Sequence, residues 1–262
     1  MLIVIDLGNT NVVIGVYENG AWTHEWRMET QIGQSGEVYQ QQLHTKIEET
    51  NLDIRSVRQI IMSSVVPALT DVIVDSAVKV FGVAPYLIGT KTYPHLPLHL
   101  PSSEEIGTDL VANAMAAMTH FPNRNCVVVD FGTALTFTTV SKEGKLLGVA
   151  IAPGIKTTIK ALFLNAAQLP EVPLVVPDSV MGTNTFHAIQ AGILIGFEGL
   201  VSHLLKRHRA ELKEDCVVIA TGGLSGVLEN LKPEYDLIDR KLTLDGLRII
   251  AELVNRVKDK SL

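Results

Sequence analysis

Cysteine is nearly absent from this chain. Cys126 and Cys216 are the only two in 262 residues, too few for a disulfide framework or a thiolate metal site. Each opens an apolar run, the setting of a reduced core residue. Basic blocks are absent as well. The net charge is −6, and the richest basic run, Lys206–Arg209, closes a helical stretch whose C-terminal dipole it complements. A nucleic-acid surface is therefore not expected. No uncharged apolar stretch reaches about 18 residues, so no membrane span is expected. The N-terminus lacks a basic region and Asp6 interrupts its apolar run, so no signal peptide is expected and the cytoplasm is the expected compartment. The GxxxxGK[ST] phosphate loop is missing, which argues against a P-loop kinase. Asp130-Phe131-Gly132 spells DFG, but no HRD or APE partner accompanies it.

Apolar residues make up 47% of the chain, enough for a packed core in one large or two ordinary domains. The informative stretch is Leu2–Gly20. An apolar run ends in Asp6, a polar turn follows (Gly8, Asn9, Thr10, Asn11), and a second apolar run begins at Val12. This reads as strand, tight turn, strand. A carboxylate closing a buried strand is expensive to desolvate without a cation. Gly8 lets backbone amides approach a ligand, and the turn supplies small donors, which together suit a metal–phosphate complex. An ordinary hairpin is the plainer reading of the stretch on its own.

The pattern recurs. Cys126–Gly144 carries Asp130, Gly132 and Gly144 at an offset of 124 from Asp6, Gly8 and Gly20. An internal repeat outranks local signals. It implies two related halves, 1–118 and 119–262, each offering an Asp and a glycine-bearing turn to a shared cleft. A third stretch, Cys216–Gly223, reads as a strand, a glycine pair and then a helix from Leu224, suited to close packing against a ligand.

Between these stretches the pattern predicts a third antiparallel strand over Ala21–Met28, a helix after Ser35, a buried strand over Val57–Val66 and a helix opening at Pro67. A proline-punctuated loop follows. Leu110–Met118 is helix-forming, with Thr108 or Asp109 where an N-cap belongs. Asp109 is there either as a cap or as a carboxylate able to take a proton from a substrate hydroxyl; the sequence leaves both open. Lys145–Ala152 reads as a strand and Ile155–Ala167 as a helix. A long helix over Phe186–Arg207 contains Gly192, Gly196 and Gly199, glycines that would permit close helix packing, with Thr183, Asn184 and Thr185 at its start. A closing amphipathic helix presents Leu247, Ile250, Val254 and Val257 on one face.

The two Asp–x–Gly turns and the Gly222-Gly223 stretch resemble the phosphate and adenosine loops of the acetate kinase/sugar kinase/hsp70/actin superfamily. With Gly107–Asp109, Ala112–Ala114, Ala152–Ile155 and Gly182–Thr185 in order, the chain is similar to the type III pantothenate kinases over nearly its whole length. The resemblance implies an α/β fold, actin-like (ribonuclease H-like) and duplicated, with two related domains around a central nucleotide cleft. It implies transfer of the γ-phosphoryl group of ATP to the primary hydroxyl of pantothenate, the first step toward coenzyme A. Mg²⁺, a monovalent cation (K⁺ or NH₄⁺) and a homodimer are implied with it. Residue by residue, it implies ATP-binding by Asp6, Leu7, Gly8, Asn9, Thr10, Asn11, Val12, Val13 and Thr133, with Asp6 near Mg²⁺. Asp130 would hold K⁺, Asp109 would be the catalytic base, and Gly107, Thr108, Asp109, Leu110 and Thr185 would contact pantothenate. Leu110 and Leu100 stand where the family pattern has Arg and Tyr. Two other readings therefore stay open: a non-catalytic nucleotide-binding accessory relative, and a kinase of another small hydroxy acid.

Overall fold

β-branched residues crowd both sides of the Gly8–Asn11 turn, and they pack best on a pleated surface. In the computed structural model, which describes residues 1–101, 105–165 and 172–259, they form β1 (Leu2–Leu7) and β2 (Asn11–Glu18), paired antiparallel. β3 (Ala21–Glu29) extends the meander, while β4 (Gln59–Ser64) lies parallel to β1 and the short β5 (Tyr86–Leu87) parallel to β4. The second half repeats this with β6 (Asn125–Phe131), β7 (Ala134–Val140), β8 (Leu146–Pro153), β9 (Cys216–Thr221) and β10 (Leu237–Ile238). The sheet orders are β3-β2-β1-β4-β5 and β8-β7-β6-β9-β10, so the repeat read from the offset is a repeat of topology.

The chain forms two compact units, Met1–Ala116 with Thr243–Leu262, and Ala117–Leu242. The sequence offset divides the chain at 118 and leaves its end in the second half, whereas in the structure the last helix packs with the first unit. The reason is steric. α7 (Leu242–Asp259) crosses α3 (Thr108–His120) at Gly246, where a methyl group would run into the Ala112 carbonyl. Thr243 Oγ1 donates to Asn113 Oδ1 at 2.8 Å beside that crossing. Leu247, Ile250 and Val254 of α7 are buried as expected, while the Val257 side chain lies outside the described residues.

In the first unit, Ile3, Ile5, Leu7, Val12 and Ile14 face α1 (Gly36–Thr50) and α2 (Pro67–Phe81), meeting Tyr39, Leu43, Leu69 and Ile73. Strand side chains alternate, so Asp6, Gly15 and Ser63 take the other face. Leu244 of α7 approaches Gly15 there. In the second unit, Val127, Val129, Phe131, Leu135 and Phe137 pack beneath α4 (Ile155–Asn165), α5 (Thr185–Gln190), a π turn (Ala191–Ile195) and α6 (Gly196–Leu212). The last two residues of the helix expected over Ile155–Ala167 lie outside the described residues.

Two expectations are corrected. No helix starts at Leu224: Ser225 N–H and Val227 N–H bond back three residues, to Gly222 and Leu224, and a 3₁₀ stretch over Glu229–Glu234 follows. Gly222 at φ +89° and Gly226 so close to Leu224 favour turns over a helical nucleus. Gly192, Gly196 and Gly199 are not helix contacts, since a methyl group at each would meet open space among the described residues. Among the described residues one helical stretch, Thr185–Leu212, is long and apolar enough to cross a membrane. Its apolar residues Ile189, Leu194, Phe197, Val201 and Leu205 are in the core of the second unit, so its hydropathy belongs to packing.

His208 of α6 stacks on Phe137 at 5.7 Å and lies 2.9 Å from Thr139 Oγ1. Burial holds its pKa below the ordinary 6.5, with Glu211 opposing in part. The unfolded chain therefore takes up the proton first as pH falls. His208 contributes stability above about pH 6.5 that is lost as pH drops from there toward its folded value. Thermal unfolding followed between pH 7 and 5 should show this loss, and His208→Gln should flatten it. Gly246→Ala should destabilise the first unit by about 3 kcal/mol or more in chemical denaturation, because both partners at the clash are backbone.

Candidate active site

The first turn is built from backbone. Gly8 N–H donates to Asn11 O at 3.0 Å and closes the turn. Thr30, just past β3, grips it twice: its N–H donates to Thr10 O at 3.0 Å and its Oγ1 to Gly8 O at 2.7 Å. Asn9 and Thr10 are exposed, Asp6, Gly8, Asn11 and Val13 are half-buried, and Leu7 and Val12 are fully buried. Leu7 and Val12 thus leave only their backbone groups to a ligand. Thr30 carried no signal in the sequence, as it is an ordinary residue at a strand end.

Asp6 pairs with Ser63 across β1 and β4, so both side chains take one face. Ser63 is buried, and its Oγ lies 2.8 Å from Thr108 Oγ1 on the first turn of α3. This hydroxyl pair joins β4, the strand paired with the one that carries Asp6, to the helix carrying Asp109. α3 opens at Thr108, so Asp109 lies inside the helix and not at the cap position. Its Oδ1 accepts the Leu110 N–H at 2.9 Å and folds back over Gly107, where a methyl group would come within 2.5 Å of it. Burial raises the Asp109 pKa above the ordinary 3.8, while hydrogen bonds from the Leu110 and Asp109 amides pull the other way. Tyr93, buried, donates its hydroxyl to Ile106 O at 3.4 Å; burial first and the Asp109 charge second raise its pKa. Leu110 is 8% exposed and belongs to the packed side of α3. Tyr93 and Ser63 lie far from Gly107 in sequence, and only folding brings them near.

The second turn repeats the first with one residue fewer. Gly132 N–H donates to Ala134 O at 3.1 Å. Gly154, offset by 124 from Thr30, donates its N–H to Thr133 O at 2.9 Å, and Thr157 Oγ1 adds a bond to the same oxygen at 2.6 Å. A methyl group at Gly154 would collide with the Gly132 carbonyl. Asp130 is half-buried at the end of β6, its Oδ1 over Gly222, and Thr133 is exposed.

Thr185 opens α5 in the second unit. It lines a cavity of about 550 Å³ with Leu162, Thr183, Asn184, Ile189 and Ile193. Asn184 caps α5, its Oδ1 accepting the His187 N–H at 3.0 Å. The cavity's polar residues Thr183, Asn184 and Thr185 are exposed, and its apolar Ile189 and Ile193 are buried. Among the described residues no three of His, Cys, Asp and Glu cluster around a point. The chemistry offered is that of single carboxylates, hydroxyls and backbone amides, which suits hard cations and phosphate oxygens.

Comparison with known proteins agrees with this geometry. The family model for type III pantothenate kinase matches residues 2–207. A type III pantothenate kinase of Treponema pallidum is 42% identical over 97% of this chain and 94% of its own. One from Citrifermentans bemidjiense is 38% identical over 95% and 98%. Among solved structures, MreB 5 of Spiroplasma citri bound to AMPPNP has a TM-score of 0.58 at 10% identity, covering 100% of this chain and 98% of that one. That likeness is one of fold, and with the paired sheet orders it makes this a duplicated actin-like α/β fold.

Gly154→Ala should displace the Gly132–Thr133 turn while leaving the β6–β7 ladder intact. Nucleotide affinity, read by calorimetric titration with a non-hydrolysable ATP analogue, should fall at least about tenfold, which is 1.4 kcal/mol, with circular dichroism unchanged.

Proposed function

This chain belongs to the type III pantothenate kinase family, and we propose that it phosphorylates pantothenate with ATP to give 4′-phosphopantothenate, the first committed chemistry toward coenzyme A. The observation that carries the reading is the duplicated Asp–x–Gly turn, gripped in each unit by the same backbone bond, together with a partly desolvated carboxylate at a helix start. Phosphoryl transfer asks little covalent chemistry of a protein; positioning and charge stabilisation dominate.

In this reading the Asp6–Val13 stretch binds the phosphates of ATP through its turn amides, and Thr133 contacts the nucleotide. Gly107–Leu110 and Thr185 contact pantothenate. Asp109 accepts the proton from the primary hydroxyl as that oxygen bonds to the γ-phosphorus and the bond to the ADP oxygen breaks. A carboxylate held above its ordinary pKa by burial is a better base than a solvated aspartate. Mg²⁺ near Asp6 and K⁺ at Asp130 would supply charge neutralisation to the phosphates, and half-buried carboxylates among small oxygen donors fit both ions. The cytoplasm is the fitting compartment for such a biosynthetic enzyme. A homodimer is the assembly this reading takes, and Leu164, Val175, Val180, Met181 and Phe186 of the second unit are exposed apolar side chains that such an interface could cover. Light scattering on the eluting protein tests it, and a monomeric mass would remove it.

Purified protein with ATP, Mg²⁺, K⁺ and pantothenate should release ADP and 4′-phosphopantothenate, and replacing K⁺ by Na⁺ should slow it. Asp109→Asn should lower kcat by about 10²–10⁴-fold, the usual contribution of a general base. The same change should leave Tm equal or higher. A raised folded pKa contributes stability that is full below the ordinary 3.8 and is lost as pH rises through the folded value, so replacing the carboxyl by an amide removes no stability on the high-pH side. On the acid side, kcat/KM should fall with decreasing pH at a value above 3.8. Wild-type turnover in Asp109→Asn would reduce Asp109 to a helix-start residue.

A further inference from the structure

Two buried hydroxyls flank Asp130 on the neighbouring strands. Thr221 of β9 and Thr136 of β7 pair directly with Asp130 from the two flanking strands, so the three side chains take the same face of the second sheet. Thr221 is fully buried and Thr136 is 9% exposed, and neither Oγ1 has a hydrogen-bond partner among the described residues. Leaving a buried hydroxyl unpaired is unfavourable, and natural proteins seldom tolerate it without a reason. Thr138 Oγ1 shares the condition, but its paired neighbours are Val128 and Val149, and no carboxylate adjoins it there. Around Asp130 the backbone is shaped to fit. Gly222, at φ +89°, has no room for a methyl group because Asp130 Oδ1 would be 2.5 Å from it, so the carboxylate leans over the end of β9, next to Thr221.

We infer that Thr221 and Thr136, together with Asp130, form an oxygen-donor site for a weakly hydrated monovalent cation. One carboxylate and two neutral hydroxyl oxygens match a single positive charge. Mg²⁺ surrenders its own waters reluctantly and is poorly served by two buried hydroxyls. The inference rests on the reading that Asp130 holds K⁺, and it adds the two threonines as ligands that set affinity for the ion.

The test is thermal unfolding of the full chain in matched KCl, NaCl and choline chloride, with and without ATP. The wild type should gain Tm in K⁺ over choline. Thr221→Val, nearly isosteric, should need about tenfold more K⁺ for half of that gain, the usual effect of losing one supporting contact at a metal site. In choline its Tm should equal or exceed that of the wild type, because an unpaired buried hydroxyl has gone, whereas a merely structural hydroxyl would lower it. Thr136→Val should behave likewise, and Thr221→Ser should restore the wild-type K⁺ midpoint. If both valine variants keep that midpoint while Asp130→Asn loses the K⁺ response, the hydroxyls serve an ordered water and the inference is overturned, with the Asp130 reading intact. A K⁺ response retained in Asp130→Asn, or absent from the wild type, overturns both.

Discussion

The site depends on one hydrogen bond made twice. In each unit a residue just past the third strand of the meander donates its N–H back to the hairpin turn, from Thr30 to Thr10 and from Gly154 to Thr133. Such a bond contributes only about 0.5–1.5 kcal/mol net. Its value is geometric, since it fixes the conformation of the turn. Side chains reinforce it differently, Thr30 Oγ1 on the Gly8 carbonyl and Thr157 Oγ1 on the Thr133 carbonyl. Where Thr30 has a side chain, Gly154 has none, because the second turn presses against it. Backbone approach therefore decides residue identity at both places.

Asp109 shows the opposite economy. Most of the molecule is arranged to satisfy polar groups, yet here a carboxylate is drawn out of water and steadied by two amides that only partly compensate. A glycine beneath it and a buried hydroxyl pair behind it keep the group where it is. Strain of this sort is common where a protein does chemistry and rare where it only holds itself together.

Much of this was legible beforehand. The equal spacing of Asp6, Gly8 and Gly20 with Asp130, Gly132 and Gly144 disclosed the duplication, since a repeat is preserved in numbering even where composition drifts. The closing helix and its apolar face were legible from period alone. What escaped has identifiable causes. Thr30, Ser63 and Tyr93 are common residue types whose roles come from tertiary neighbours. The stretch after Gly223 looked helical, yet its counterpart of α2 is reduced to turns, because Ser225 and Gly226 break the nucleus. Glycines at 192, 196 and 199 looked like packing contacts, and only coordinates reveal that nothing approaches them. The return of the last helix to the first unit is a long-range crossing that no local pattern announces.

The shortened second turn has a wider consequence. Dropping one position slides β7 by a single step against β6, and a single step exchanges the two faces of a strand. Asp6 consequently has Val13 across the hairpin, whereas Asp130 has Thr136, and the bulky Phe137 that would otherwise have sat beside the acid is turned into the interior. Two halves of matching topology are made non-interchangeable by this one-residue difference: the first acid has an apolar neighbour, the second a hydroxylic one. Division of labour between twins of this kind needs no new fold and no new motif, only a miscount at a bend.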